Sequence, residues 1–90
     1  MRDLSGRTAF VTGAASGVGF ALARALAAEA ANVMLADIEE PALDAAVVRL
    51  AGFSPRIASI VCDVADFDSL SRAAAETRDA FGPVHILCNN

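Results

Sequence analysis

Four short apolar runs alternate with three longer segments of helical character along the 90-residue chain. Each run is almost continuously apolar, which is typical of strands buried on both faces of a parallel sheet. A strand–helix alternation of this kind joins neighbouring parallel strands through right-handed crossover connections. The sequence therefore predicts a single α/β domain over residues 1–90, with helices covering both faces of the sheet.

The predicted elements are bounded by turn residues, polar residues and glycines. The expected strands are Thr8–Thr12, Asn32–Ala36, Ile57–Cys62 and Val84–Cys88. The expected helices run from Ser16 to Ala31, from Glu39 to a stop near Gly52, and from an N-cap at Asp66 to Gly82. The crossover rule predicts the strand order 3-2-1-4, with the first two helices on one face and the third on the other.

Apolar spacing predicts which side of each helix is buried. For the first helix the expected stripe is Val18, Leu22, Ala25 and Leu26. For the second it is Leu43, Ala46, Val47 and Leu50, and for the third Leu70, Ala73, Ala74, Thr77 and Phe81.

A glycine-rich segment, Thr12–Gly19, joins the first strand to the first helix. A pyrophosphate binds at a helix N-terminus through backbone N–H groups, provided that no side chain blocks its approach. In this interpretation Gly13 permits a tight turn, Gly17 lets the backbone approach the phosphates, and Gly19 lets the helix pack closely on the strand. The Ser16 hydroxyl adds a further donor.

The glycine spacing is GxxxGxG, which meets the general dinucleotide pattern GxGxxG only approximately. Small residues selected for helix–strand packing alone would give a similar triplet. The strand before the loop and the helix after it favour the phosphate-binding interpretation.

Two aspartates follow neighbouring strands. Asp37 closes the second strand, where a carboxylate accepts hydrogen bonds from adenosine ribose hydroxyls and repels a 2′-phosphate. Neither Ser16 nor Ile38 supplies a positive charge for that phosphate, so the expected cofactor is NAD rather than NADP. Asp63 and Val64 close the third strand, where they can reach the adenine. The alternatives are a helix cap for Asp37 and a turn residue for Asp63.

The charge and composition of the chain argue against other classes of partner and against a membrane-bound protein. A net charge of −4 and a pI of about 4.6 argue against nucleic acid and anionic membrane surfaces. The first apolar run is too short for a signal sequence or a membrane span, so a cytoplasmic protein is expected. Cys62 and Cys88 lie in apolar runs without a metal-ligand pattern, which predicts two reduced, buried thiols and no metal site. A disulfide or a metal-binding pair is the alternative.

Three motifs together resemble the short-chain dehydrogenases/reductases, a family with a Rossmann-type fold. They are Thr12–Gly19, Cys62-Asp63-Val64 and the run from Phe81 to Asn90, and the resemblance covers the whole chain. It implies that Gly13, Ser16, Gly17, Val18 and Gly19 contact the pyrophosphate and the nearby cofactor. It further implies that Asp37 with Ile38 selects NAD, that Asp63 and Val64 hold adenine, and that Asn89 and Asn90 border the ribose.

The same resemblance implies an oxidoreductase that interconverts a carbonyl and an alcohol by hydride transfer. The family uses a Tyr, a Lys and a Ser as its catalytic group, but this chain contains no Tyr and all seven of its basic residues are Arg. We therefore expect a partial domain, truncated after the fourth strand, that binds NAD without catalysis. A small-molecule substrate and the family's usual homo-oligomer belong to a complete parent protein. A non-catalytic nucleotide-binding or regulatory module is the alternative, and the glycine spacing disfavours another Rossmann user such as a methyltransferase.

Overall fold

The computed structural model describes residues 4–53 and 56–90. Strands and helices alternate along the chain as the apolar runs predict. The elements are β1 (Thr8–Thr12), α1 (Gly17–Ala28), β2 (Asn32–Asp37), α2 (Glu40–Leu50), β3 (Ile57–Val61), α3 (Phe67–Phe81) and β4 (Ile86–Cys88).

The four strands form one parallel sheet in the order β3-β2-β1-β4, which confirms the predicted topology. In register, Val11 of β1 lies opposite Leu35 of β2 on one side and Cys88 of β4 on the other. Because every strand runs the same way, the carboxyl ends of all four meet along a single edge of the sheet. This edge is where ligands bind in open α/β sheets.

Helices cover both faces of the sheet, again as predicted. On one face α1 and α2 pack against β1 and β2 around a core that includes Val11, Leu35, Leu43 and Leu50. On the other face α3 contributes Ala73 to a second buried cluster, whose other members are Phe10, Met34, Ala36 and Cys62.

The predicted buried stripe of α1 is wrong. The residues that α1 buries are the small ones: Gly19, Ala23 and Ala27. Of the predicted residues, Leu26 is half-buried, whereas Val18, Leu22 and Ala25 are exposed. The physical reason is the close approach of α1 to the loop after β1, where a Cβ at Gly19 would lie 2.1 Å from the Gly13 carbonyl oxygen. The face of α1 that is buried therefore consists of glycine and alanine.

Helix α1 also ends earlier than the predicted Ala31, because the chain leaves it through a Schellman turn. The Ala30 N–H donates to the Ala27 carbonyl across 3.0 Å, and the Ala31 N–H donates to the Leu26 carbonyl across 3.2 Å. Ala30 takes a left-handed conformation with φ of 66°. This position usually holds glycine, so the sequence carries no visible stop signal.

The third helix begins as predicted, with Asp66 as its N-cap. One carboxylate oxygen of Asp66 accepts the N–H of Asp68 at 3.0 Å and that of Ser69 at 3.4 Å. Ala74, which the apolar spacing places inside, is exposed, because α3 covers only part of the sheet face.

The last two strands are shorter than predicted. β3 ends at Val61 rather than Cys62, and β4 begins at Ile86 rather than Val84. At the start of β4 a side chain replaces part of the backbone ladder, because the Thr8 N–H donates to Nδ1 of His85 across 3.1 Å. The His85 N–H in turn donates to the Thr8 carbonyl.

Two cation–π contacts link α1 to the end of α2. The guanidinium carbon of Arg49 lies 4.3 Å from the ring centre of Phe20, and that of Arg24 lies 5.3 Å from the ring centre of Phe53. These contacts hold the two helices side by side on their outer surface.

Other sequence predictions concern thiols, metals and membranes. Cys62 is buried and Cys88 is half-buried, and both are free thiols. Within residues 4–53 and 56–90, no three side chains of the metal-ligating types form a group that could hold an ion. In that same part of the chain, no helix has both the length and the apolar character needed to cross a bilayer.

Candidate cofactor-binding site

A cleft of about 160 Å³ lies at the carboxyl edge of the sheet, between the ends of β1, β2 and β3. Its walls come from three loops and from the end of the chain. The lining residues are Thr12, Gly13, Asp37, Ile38, Cys62, Asp63, Val64 and Asn90. Six of these, all except Thr12 and Cys62, are residues that the sequence predicts for cofactor binding.

The glycine loop forms one wall, and its geometry requires glycine at two kinds of position. Gly13 and Gly17 have φ values of 60° and 62°, in the left-handed region that L side chains rarely adopt. At Gly19 the limit is space, since a Cβ there would lie 2.1 Å from the Gly13 carbonyl oxygen. The sequence predicts that Gly19 lets the helix pack closely on the strand, whereas the closest contact is with the backbone of Gly13 in the loop itself.

The N-terminus of α1 points out of this loop. Ser16 is the N-cap, yet its hydroxyl makes no capping hydrogen bond. The first N–H groups of a helix have no partner within the helix, so those of Gly17, Val18 and Gly19 remain available. A Cβ at Gly17 would meet nothing within 4 Å, which leaves the approach to these donors open. The arrangement can hold an anionic group such as a phosphate.

The carboxylate of Asp37 links the glycine loop to the end of β2. Its Oδ2 accepts the N–H of Ala15 at 3.0 Å. Its Oδ1 accepts the N–H groups of Ile38 at 2.8 Å and Glu39 at 3.2 Å. The side chain is half-buried and also lines the cleft. It thus turns the chain toward α2, as the capping alternative suggests, while it remains within reach of a ligand.

Asp63 and Val64 form the opposite wall, after β3. Oδ1 of Asp63 accepts the N–H of Ala65 at 3.0 Å, which makes Asp63 a turn residue as well as a cleft residue. The apolar side chains of Ile38 and Val64 line the cleft and are 61% and 51% exposed. A flat aromatic ligand placed between them would remove this apolar surface from water.

Thr12 joins β1 to the last two residues of the chain. Its hydroxyl oxygen accepts the N–H of Asn90 at 2.9 Å. The hydroxyl lies 3.3 Å from both the Cys88 carbonyl and Oδ1 of Asn89, and it donates its single hydrogen to one of them. This network fixes Asn90 beside Gly13. A Cβ added at Gly13 would lie 3.1 Å from Nδ2 of Asn90.

The predicted residues thus fall into three groups. Gly13, Asp37, Ile38, Asp63, Val64 and Asn90 line the cleft, while Ser16, Gly17, Val18 and Gly19 form the adjoining start of α1. Asn89 contacts Thr12 beside the cleft rather than lining it.

The predicted motifs contain Thr12, Ala15 and Cys62, but the sequence predicted no role at this site for any of the three. Thr12 carries a recognisable signal, because it is a polar residue that ends an apolar strand. Ala15 acts through its backbone N–H, which leaves no signal in the sequence.

Comparison with known proteins decides the family. The model of the family described as short chain dehydrogenase matches residues 7–90. The chain belongs to the short-chain dehydrogenase family. Among curated members, the sorbitol dehydrogenase of Cereibacter sphaeroides is 42% identical over 87 residues, which cover 97% of this chain and 33% of that protein.

Solved structures of the short-chain dehydrogenase family superpose closely on the chain. A short-chain dehydrogenase/reductase from Burkholderia phymatum in complex with NAD gives a TM-score of 0.90 at 33% identity, covering 97% of this chain and 31% of that one. An actinorhodin polyketide ketoreductase with NADPH gives 0.89 at 30% identity, covering 93% and 32%. The chain spans about a third of the length of the curated relatives it matches.

Proposed function

We propose that this chain is the NAD-binding part of an oxidoreductase that interconverts a carbonyl and an alcohol by hydride transfer. The observation that carries the proposal is the position of the Asp37 carboxylate, between the glycine loop and Ile38 at the carboxyl end of β2. A carboxylate at this point of a dinucleotide-binding sheet accepts hydrogen bonds from the adenosine ribose.

Three parts of the site fit three parts of the dinucleotide. The open N-terminus of α1 suits the pyrophosphate, since its N–H donors and helix dipole favour negative charge. Asp37 suits the ribose, since its side chain lines the cleft. Ile38 and Val64 suit the two faces of adenine, with Asp63 as an acceptor for the exocyclic amine.

The preference for NAD over NADP rests on charge. Two carboxylates, Asp37 and Asp63, line the cleft, and no basic side chain is among its lining residues in the described part of the chain. A 2′-phosphate would meet repulsion there without a compensating cation. Relatives differ in this respect, because one solved relative is described with NAD and another with NADPH.

Hydride transfer needs a proton donor that these residues do not include. The chain has no Tyr and no Lys, the residues that the family resemblance assigns to proton transfer. We propose that the chain by itself binds the dinucleotide without turning over a substrate, and that the activity belongs to a protein in which the remaining catalytic residues are present.

Calorimetric titration with NAD and NADP tests the cofactor assignment. We expect NAD to bind at least about tenfold more tightly, which corresponds to about 1.4 kcal/mol. Ile38→Arg places a cation at the cleft and should narrow this difference. Val48→Arg adds the same charge at an exposed position of α2 outside the cleft and should leave the difference unchanged. Tighter binding of NADP to the unmodified chain, or no binding of NAD by folded protein, would refute the assignment.

A further inference from the structure

We propose that Asp37 is also the positioning residue of the glycine loop, and that this role requires a hydrogen-bond acceptor at both of its carboxylate oxygens. The proposal builds on the proposed function, because it concerns the same site. Its structural part stands on contacts within the protein alone. They are the N–H of Ala15 on Oδ2, and the N–H groups of Ile38 and Glu39 on Oδ1.

The loop has few other attachments to β2. The Ala14 N–H donates to the Ala36 carbonyl across 3.1 Å, and the contact between Ala15 and Asp37 is the next tether along the chain. The Ser16 hydroxyl adds no capping bond of its own. Gly13 and Gly17, at the two ends of this short segment, are glycines in left-handed conformations. Because glycine restricts the backbone least, the segment between them depends on such tethers for its shape.

The chemistry of the carboxylate makes this role specific. An ionised Asp accepts hydrogen bonds at both oxygens, whereas an Asn of the same shape has one accepting oxygen and one donating NH₂ group. Whichever way an amide at position 37 is turned, its NH₂ group faces a backbone N–H, either that of Ala15 or those of Ile38 and Glu39. The isosteric change Asp37→Asn therefore removes at least one of these bonds and sets two donors against each other.

Asp63 provides a matched comparison in the same cleft. In the described part of the chain, only one of its carboxylate oxygens, Oδ1, accepts a backbone N–H, that of Ala65. An Asn at position 63 can turn its oxygen to Ala65 and direct its NH₂ group to solvent. The two substitutions remove the same charge from the same cleft, but only one of them disturbs a doubly engaged carboxylate.

In this proposal one side chain, that of Asp37, both sets the shape of the loop and selects the cofactor. A carboxylate has about four acceptor sites, and the three N–H groups leave roughly one for a ribose hydroxyl. Replacing Asp37 to admit a 2′-phosphate would also loosen the loop that presents the pyrophosphate donors. Such a replacement should weaken NAD binding without a matching gain for NADP.

Amide hydrogen exchange in the absence of cofactor tests the structural part. The single accepting oxygen of an Asn at position 37 keeps two bonds when it faces Ile38 and Glu39 and only one when it faces Ala15. We therefore expect Asp37→Asn to lower the protection of the Ala15 amide by roughly tenfold or more, the effect of losing a hydrogen bond to a charged group. We expect Asp63→Asn to leave that protection within about twofold of the original. Retained protection of Ala15 in Asp37→Asn, or an equal loss in Asp63→Asn, would overturn the proposal.

A second variant guards against simple unfolding. Asp37→Glu keeps two accepting oxygens on a longer stem, so it should fold and preserve part of the Ala15 protection even where Asp37→Asn does not fold. A folded Asp37→Glu chain with a fully unprotected Ala15 amide would contradict the proposed role. The amide of Val33, which bonds to the Arg56 carbonyl in the sheet, reports whether each variant is folded.

Titration of the same variants with NAD and NADP separates this inference from the proposed function. If the exchange result is as expected but the unmodified chain binds no NAD, the loop role stands and the cofactor assignment fails. If Asp37→Asn binds NAD as tightly as the original chain, the link between loop shape and cofactor binding is wrong.

Discussion

At the scale of single residues, Gly19 is the position where the site tolerates least change. A Cβ there would lie 2.1 Å from the Gly13 carbonyl oxygen and 2.7 Å from its carbon, so backbone atoms would have to move. We expect Gly19→Ala to lower the free energy of unfolding by about 1–3 kcal/mol, the usual cost of overpacking. It should also weaken NAD binding, because in the proposed site the displaced segment presents the N–H donors for the phosphates. Denaturant unfolding and calorimetry measure the two effects.

Gly52 offers the control for this substitution. A Cβ at Gly52 would meet nothing within 4 Å, and its φ lies outside the left-handed region. Gly52→Ala should therefore be neutral or slightly stabilising, since it restricts the unfolded chain. Equal losses of stability at Gly19 and Gly52 would show that steric contact with Gly13 is not the cause.

Several residues that line the cleft could be predicted from the sequence. The glycines of the loop and Asp37 are recognisable by residue type and by their position at or after the end of a strand. The hydrogen bonds of Ala15 and Thr12 could not be predicted in this way. Ala15 contributes a backbone N–H whose partner lies 22 positions away, and the partners of Thr12 lie 76 to 78 positions away. Local patterns contain no information about such pairings.

At the scale of elements, the end of α1 carries a strained residue. Ala30 has φ of 66°, a conformation that costs an L-residue about 1–2 kcal/mol relative to right-handed backbone. Glycine adopts it without that cost but loses more conformational freedom on folding. We expect Ala30→Gly to raise the free energy of unfolding by about 0.5–1 kcal/mol, as measured by chemical denaturation.

The matched control is Ala25→Gly, at an exposed position in the interior of the same helix. There the same change should lower stability by about 0.5–1 kcal/mol, because the backbone is right-handed and glycine gains nothing. If Ala30→Gly destabilises the protein as Ala25→Gly does, Ala30 does not hold the left-handed conformation.

The position of helices was easier to predict than their orientation. Apolar spacing correctly identified α2 as buried through Leu43, Ala46 and Leu50. It failed for α1, where periodicity favoured the large side chains and the close approach to the glycine loop selected the small ones. Spacing reports which residues are apolar, whereas the distance between two layers decides which of them fit.

At the scale of the whole molecule, strand order and the two-sided cover followed from the alternation of elements and the handedness of crossovers. Helices cover the two faces of the sheet to different extents. On the face with α3, Leu87 of β4 is 67% exposed beside an apolar groove of about 270 Å³. The cleft lies at a different place, on the edge where β1, β2 and β3 end. Most of its walls come from those strands and the loops after them.

An NMR titration tests directly whether NAD binds at this edge of the sheet. On addition of NAD, we expect backbone amide shifts at residues 13–19, 37–38, 63–64 and 89–90. The amides around Arg24, Arg49 and Phe53, on the outer surface of α1 and α2, should stay unchanged. Shifts centred on that outer surface, or no shifts at saturating NAD, would show that NAD does not bind at this edge.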